Sequence, residues 1–197
     1  EQIKGATKDY STMMKVMDMV NYANNNYAVT GADVAEAMMR SASSASTMGM
    51  SMEQLTSIIV AGQEPLQNAS KLGNGLKTMF ANFAGWKTST KDGSASLNKT
   101  AKVLQTMAGI NMTDANGQIR DTYEIMDEIG SKWDDLTKKQ RTSIGEAVAG
   151  KQNINTFNAI MNNWKQAQKY YQQFKDGMTV GSAEKEKQHS PYVEKSA

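Results

Sequence analysis

A glycine-centred segment near the middle of the chain has the residue types of a calcium-binding loop. Asp114 and Asn116 carry suitable oxygen atoms, and Gly117 permits a sharp turn. If Gly117 occupied the sixth loop position, however, the first and twelfth ligands would be Met112 and Tyr123, where calcium requires carboxylates. We therefore predict a structural turn at this place and no metal ion.

Five carboxylates come shortly after this turn, at Glu124, Asp127, Glu128, Asp134 and Asp135. Two carboxyl groups held at a fixed separation in a sugar cleft could supply the acid and base of glycosidic cleavage. Glu124 and Glu128 instead share a helix face four residues apart, and Asp134 and Asp135 precede a helix whose N-terminus favours negative charge. We therefore predict that the carboxylates stabilise helices and that this segment is not an enzyme.

Two further features could in principle hold a ligand. Residues 73–78 partly match a phosphate-binding loop, but Leu76 stands where a glycine must precede the lysine, and no apolar strand comes before it. We interpret them as a glycine-rich turn. His189 is the only histidine and has no metal-ligating residues at suitable spacing. The sequence therefore predicts no cofactor.

The elements around the central turn follow one another in a fixed order. Gly109 ends a helix, after which Ile110 to Met112 form a short extended segment that pairs with residues 118–120 across the turn. A helix opens at Asp121 and ends at Gly130, and a capping box then starts another helix. Trp86, Trp133 and Trp164 are interpreted as packing anchors. Thr137 and Gln140 are the two partners of that capping box.

The N-terminal part predicts three helices with clear ends. The first runs from about Lys8 to Tyr27. Thr30 caps a second helix that ends at Gly49, and a capping box at Ser51 starts a third, whose length Pro65 limits. The second helix carries a narrow small-residue seam, which suggests self-association. The members of this seam are Val34, Met38, Ala42 and Ala45.

The remaining helices are less sharply marked. Gly73-Asn74-Gly75 predicts a break before a short apolar helix, which a loop follows through Gly93. Ser94 or Ser96 starts the helix that leads to Gly109. Beyond Gly150, apolar residues at helical spacing predict one long helix to Phe174, capped by Asn153 or Asn155.

These elements predict an all-α protein, either a multi-helix array or a loose bundle, with one short turn or mini-hairpin near 110–120. Four blocks follow from the composition. They are an N-terminal helical block at 1–70, a short helix and loop at 71–96, a helical core block at 97–175, and a polar linker or solvated helix at 176–197.

Composition limits the size of the core and the kind of partner. Leu, Ile, Val and Phe make up about 15% of the 197 residues, which predicts a thin helical array that buries surface against copies of itself. The fifteen methionines are expected to fill the core. A net charge of +2 with interspersed signs argues against a nucleic-acid surface, and no apolar run is long enough to span a membrane. The missing initial Met suggests a piece of a longer polypeptide.

The order of these features resembles the core of phage tail tape-measure proteins over roughly residues 15–165. The upstream helices, from Asn21 to Leu55, are similar to an earlier helical block of that family. The motif positions in the second half are Gly109, Ile110, Asp114, Asn116, Gly117, Ile119, Arg120, Asp121, Trp133, Leu136, Gln140 and Gly150.

The resemblance implies a structural role inside a phage tail. A chain of this family is expected to help set tail length while the tube polymerises, and to occupy the tail lumen until DNA ejection. Implied partners are other copies of itself, the tail tube, tail-tip or baseplate proteins and assembly chaperones. Its place is the interior of the virion tail, assembled in the host cytoplasm. Alternatives are a helical adaptor or plug at the tail tip, and part of a tail-associated cell-wall hydrolase.

Overall fold

The computed structural model describes the backbone of residues 2–84 and 99–176, and the side chains of 12–84 and 99–176. Within these residues the secondary structure is helical, apart from one isolated antiparallel bridge between Thr113 and Ile119. The predicted all-α class and the short central turn are therefore confirmed. The helices are α1 (Gln2–Asn26), α2 (Gly31–Thr47), α3 (Met52–Leu66), α4 (Ala69–Ala84), α5 (Lys99–Ala108), α6 (Thr122–Lys132), α7 (Lys138–Ala149), α8 (Ile154–Asn162) and α9 (Trp164–Lys175), with short 3-10 turns at Trp133–Asp135 and Lys151–Asn153.

Helix α3 lies at the centre of the fold. It begins at the predicted capping box, in which the Gln54 amide donates to Ser51 Oγ (3.2 Å) and the Ser51 amide donates to Gln54 Oε1 (2.8 Å). Every side chain from Leu55 to Gln63 is buried. A helix that is buried all round needs neighbours on every side. Helices α1, α2, α4, α8 and α9 provide them.

Pro65 lies in the last turn of α3 and leaves one carbonyl group without its helical partner. Because proline has no N–H, the Ala61 carbonyl four residues earlier receives no bond within the helix. The side chain of Asn163 replaces it, with Nδ2 2.8 Å from the Ala61 oxygen. As predicted, α3 ends directly after Pro65, and Gln67 adopts the left-handed conformation with φ 46°.

The predicted break at Gly73-Asn74-Gly75 is wrong, because these residues lie inside α4. A Cβ atom on Gly73 would lie 2.8 Å from the backbone oxygen of Ala37 in α2. A Cβ atom on Gly75 would lie 2.7 Å from Cγ2 of Thr156 in α8. Both glycines therefore allow other helices to approach α4 closely, and the resemblance to a phosphate-binding loop has no structural counterpart.

The small-residue seam of α2 is buried within the chain. Val34, Met38 and Ala45 are buried, and α2 packs against α4 and α3. The same close approach that suggested self-association therefore serves contacts between helices of one chain. The proposed self-association surface cannot be this seam.

The core is more extensive than the composition predicts. Buried side chains from all nine described α-helices form one contiguous cluster. Methionine and alanine supply much of it, as Met19, Met79 and Met126 illustrate with no exposed surface. Because these flexible side chains fill space that Leu or Val would otherwise occupy, a low content of branched residues does not mean a thin core.

The chain after Gly150 forms two helices and not the single long helix predicted. Asn163 separates α8 from α9 and has φ −109° and ψ 18°. Its side chain is held by α3, which turns the chain at this point. Asn153 precedes α8 but makes no side-chain cap; its Nδ2 donates to the Ala149 carbonyl at 3.2 Å.

Some predictions lie outside the described residues. These are Trp86 and the loop through Gly93, the helix start at Ser94 or Ser96, and His189 with the tail after Asp176. The first helix begins at Gln2, earlier than the predicted Lys8. Among the described helices none combines the length and the hydropathy that crossing a membrane would require.

Candidate functional site

The candidate site is the segment from Leu104 to Gly150. It contains the end of α5, the central turn, α6 and α7, and we call it the joint. It starts where α5 ends. Gly109 has φ +65°, and the Ile110 amide donates to the Leu104 carbonyl at 3.2 Å. This left-handed residue reverses the chain, so that Ile110 becomes fully buried.

The turn that follows is organised by one carboxylate. Asp114 Oδ1 accepts bonds from the backbone amides of Asn116 (2.9 Å) and Gln118 (2.8 Å). Gly117, with φ +75°, donates its amide to the Asp114 carbonyl at 3.1 Å. Side-chain bonds of this kind fix a tight turn without a ligand. The turn is therefore held by its own hydrogen bonds, and its tip is exposed.

An ion triplet fastens this turn to α6. Arg120 Nη1 donates to Glu128 Oε2 at 2.8 Å and to the Asn111 carbonyl at 2.8 Å. Lys132 Nζ donates to Glu128 Oε1 at 2.8 Å and to the Ala108 carbonyl at 3.1 Å. Burial acts to raise the pKa of Glu128, but the bonds from Lys132 and Arg120 outweigh it, and the pKa lies below its usual value.

Asp121 sets the start of helix α6, and Gly130 sets its packing. Asp121 caps its N-terminus, because its Oδ1 accepts the Glu124 amide at 3.1 Å. Gly130 does not end the helix, as the sequence suggested, but lies within it. A Cβ atom there would lie 2.2 Å from Cγ of Trp164 in α9. The glycine thus makes room for an indole ring.

Trp133 anchors the short 3-10 turn after α6 and is 1% exposed. Its Nε1–H donates to Asn162 Oδ1 at 2.6 Å, and its ring meets Phe157 edge to face with centroids 5.5 Å apart. The Arg141 guanidinium lies 5.3 Å from the ring centroid and donates to the carbonyl of half-buried Leu136 at 3.1 Å. These contacts connect α6, α7 and α8.

The start of α7 is tied back to the end of α5. In the predicted capping box, the Gln140 amide donates to Thr137 Oγ1 at 3.3 Å and the Thr137 amide to Gln140 Oε1 at 2.8 Å. Gln140 Nε2 also donates to the Met107 carbonyl at 2.7 Å. Gly150, with φ +75°, ends α7. The side chain of Gln140 therefore fixes the start of α7 relative to the end of α5.

A family model of phage-related minor tail proteins matches residues 2–150 of this chain. The chain belongs to this family. The match extends from α1 to the end of α7 and includes the whole joint. This minor tail protein is accordingly a structural component of a phage tail, and its partners are other tail components. No solved structure matches the chain.

Two further carboxylates of this minor tail protein, those of Asp127 and Asp134, also have structural partners. Asp127 Oδ1 accepts bonds from Trp164 Nε1 (2.8 Å) and Gln168 Nε2 (2.7 Å). Asp134 pairs with Lys165 at 3.2 Å. No group of three or more His, Cys, Asp or Glu side chains in the described ranges is arranged to hold a metal ion. The polar side chains of the joint therefore hold its backbone segments in place.

One network was not predicted from the sequence. Tyr170 donates its hydroxyl to Glu64 Oε2 at 2.9 Å, and its ring stacks on Tyr27 with centroids 4.1 Å apart. Tyr27 in turn donates to Gln173. Burial raises the pKa of both tyrosines, so both hydroxyls stay protonated as donors at neutral pH. The two hydrogen bonds of this network join residues that are 106 and 146 positions apart in the sequence, so no local pattern predicts it.

Proposed function

We propose that this minor tail protein is part of a tape-measure chain, which helps to set tail length during tube assembly and occupies the tail lumen until DNA ejection. The observation that carries the proposal is the joint. Its motif order resembles that of tape-measure chains, and its polar side chains hold helices together. The family match and the all-helical fold support it.

The mechanism is geometric. A helix advances about 1.5 Å per residue, so a long helical chain converts residue number into distance. The described residues fold back on α3 and so contribute a folded unit to such a chain, while its extended helical stretches supply the length. Tube subunits polymerise around the chain until its end is reached.

The test uses a phage whose tail gene encodes this chain. In-frame deletions are made in helical stretches of the full protein outside this segment, and tail length is measured by electron microscopy. We expect tails to shorten by about 1.5 Å per deleted residue. A length-neutral substitution within the segment, Ser131→Ala, is the matched control. If large deletions leave the tails intact and of unchanged length, the chain does not set tail length.

The closed packing around α3 favours a second candidate, an adaptor or plug at the tail tip. A helix buried all round belongs to a folded unit that can dock as a body. Cryo-electron microscopy of intact particles separates the two proposals. Density for this unit at the tail tip, combined with tail lengths that do not respond to deletions, supports the plug.

A further inference from the structure

The tip of the central turn combines two residues that can react with each other. Asn116 and Gly117 are adjacent, and both are exposed. Asparagine is a thermolabile residue, because the backbone nitrogen of the residue that follows it can attack its side-chain amide. A glycine in the following position places no side chain in the way of this attack.

The chain contains a second Asn-Gly pair, at Asn74 and Gly75. Both asparagines are exposed, so the two pairs differ in their glycine. Gly75 is buried inside α4, where it lies against Thr156 of α8. Its backbone N–H belongs to the hydrogen-bonded ladder of a helix, so the nitrogen becomes available only when that helix opens.

Gly117 is held much less firmly. Its amide donates to the Asp114 carbonyl at 3.1 Å, in a turn whose residues 114–118 are all exposed. A Cβ atom on Gly117 would meet no atom beyond the adjacent residues within 4 Å. Opening of an exposed turn costs far less free energy than opening of a core helix, so the Gly117 nitrogen is accessible in the folded chain.

We propose that Asn116 is a site of spontaneous deamidation. The Gly117 nitrogen loses its proton to solvent base and attacks Cγ of Asn116, and the bond between Cγ and Nδ2 then breaks. Ammonia leaves, and a cyclic imide remains. A water molecule from the solvent adds to either carbonyl carbon of the imide, which yields aspartate or isoaspartate, and no oxidant or reductant takes part.

The isoaspartate product changes the geometry of the turn. Its backbone runs through the former side chain, which adds one carbon atom at the tip. Two bonds close the turn behind this tip. The Asp114 amide donates to the Gln118 carbonyl at 2.8 Å, and the Arg120 amide donates to the Met112 carbonyl at 2.9 Å. A longer tip does not fit this spacing, so we expect both bonds to weaken as the protein ages.

Peptide mapping by mass spectrometry tests the modification on the full chain, during incubation at neutral to mildly alkaline pH. Trypsin releases Asn116 in a peptide of residues 103–120 and Asn74 in a peptide of residues 72–77. We expect Asn116 to deamidate at least about tenfold faster than Asn74 in the folded chain. The chain unfolded in urea is the matched control, because both asparagines precede a glycine and should then react at similar rates. A sample taken before incubation corrects for deamidation during digestion.

Hydrogen exchange tests the effect on the turn. The amides of Asp114 and Arg120 should exchange faster in the aged chain than in the fresh chain. Asn116→Ser has no amide to lose, so this variant should keep its exchange rates through the same incubation.

Equal rates for the two asparagines in the folded chain would overturn the proposal. An unreactive Asn116 in the folded chain, with both sites reacting in urea, would also overturn it. If the turn amides exchange at unchanged rates once isoaspartate has formed, the modification does not open the turn. These outcomes leave the tail-length test unaffected, because the reaction requires only the folded chain and water.

Discussion

Glu128 is the side chain at which three segments of the joint meet. Through Arg120 it holds the central turn, and through Lys132 it holds the end of α5, since both cations also donate to backbone carbonyls. The carboxylate is less than one third exposed, so solvent screens these pairs only in part. Its loss would release the turn and the α5 end together.

We predict that Glu128→Gln lowers the free energy of unfolding by about 1 kcal/mol at pH 7, because the two charge-assisted bonds weaken. The folded state lowers the pKa of Glu128 below its unfolded value of about 4.3. Its stabilisation is therefore complete above that value and disappears as the pH falls through the folded pKa. Urea unfolding at pH 7 and at about pH 3 measures this difference.

Glu124→Gln is the control for this prediction, because Glu124 belongs to the same helix but is exposed. The difference in free energy of unfolding between wild type and Glu128→Gln should shrink on acidification, and it should exceed at pH 7 the smaller difference that Glu124→Gln causes at the exposed helix N-terminus. If the difference in free energy of unfolding between wild type and Glu128→Gln is equal at both pH values, the charge of the carboxylate does not stabilise the joint.

Gly130 gives a second prediction at the residue scale. Gly130→Ala would place a methyl group against Trp164, whose Cβ and Cγ lie 2.8 Å and 2.2 Å from the new carbon. These atoms are near the backbone and cannot move aside easily, so we expect a loss of about 1–3 kcal/mol or more. Ser131→Ala, at the exposed neighbouring position, should be neutral or slightly stabilising. Thermal unfolding followed by circular dichroism compares the two.

Helix starts could be predicted from the sequence, but helix contacts could not. Thr30, Ser51, Asp121 and Thr137 all cap the helices assigned to them, because a cap is a bond between residues three positions apart. Glycines are ambiguous, since a turn and a close helix crossing require the same residue. Gly109 lies in a turn, whereas the glycines at 73 and 75 lie at helix crossings, which depend on distant partners.

The same distinction applies to the candidate site. The central turn and the start of α7 are set by neighbouring residues and were predicted. The pair of Lys132 with Glu128 has the i,i+4 spacing of a helix and can be read from the sequence. The bond of Arg120 to Glu128 and the contact of Gln140 with Met107 depend on how the helices fold back, so no local pattern predicts them.

The link between α3 and α9 gives a prediction at the element scale. Asn163→Ala should lower the free energy of unfolding by about 1–3 kcal/mol, because the Ala61 carbonyl loses the donor that replaces the missing N–H of Pro65. Pro65→Ala restores a backbone N–H in the right place. Asn163→Ala should therefore cost about 1 kcal/mol less in the Pro65→Ala background.

A double-mutant cycle measured by urea unfolding tests this coupling. Asn162→Ala is not a suitable control, because Asn162 bonds Trp133. Gln166→Ala is suitable, since Gln166 is an exposed residue of α9. If the changes that Pro65→Ala and Asn163→Ala cause in the free energy of unfolding simply add, the two residues are not coupled through the Ala61 carbonyl.

At the scale of the whole molecule, the folded unit is larger than the family match. The match ends at residue 150, but α8 and α9 lie beyond it and cover α3. Four large side chains of these two helices are at most 3% exposed, namely Phe157, Trp164, Tyr170 and Phe174. The residues that define the family therefore depend on residues outside the match for their core.

We predict that a fragment of residues 1–150 does not fold cooperatively, whereas a fragment of residues 1–176 does. Removing α8 and α9 exposes the apolar surface of α3 and leaves the glycines at 75 and 145 without the side chains that pack against them. Burial of a large apolar side chain is worth about 1.5–3 kcal/mol, so losing four is comparable to the whole stability of a typical domain, about 5–15 kcal/mol. Thermal unfolding and the dispersion of amide NMR signals distinguish the fragments. A sharp transition for 1–150 with native helix content would show that the first seven helices form a self-sufficient unit and that α8 and α9 only dock upon it.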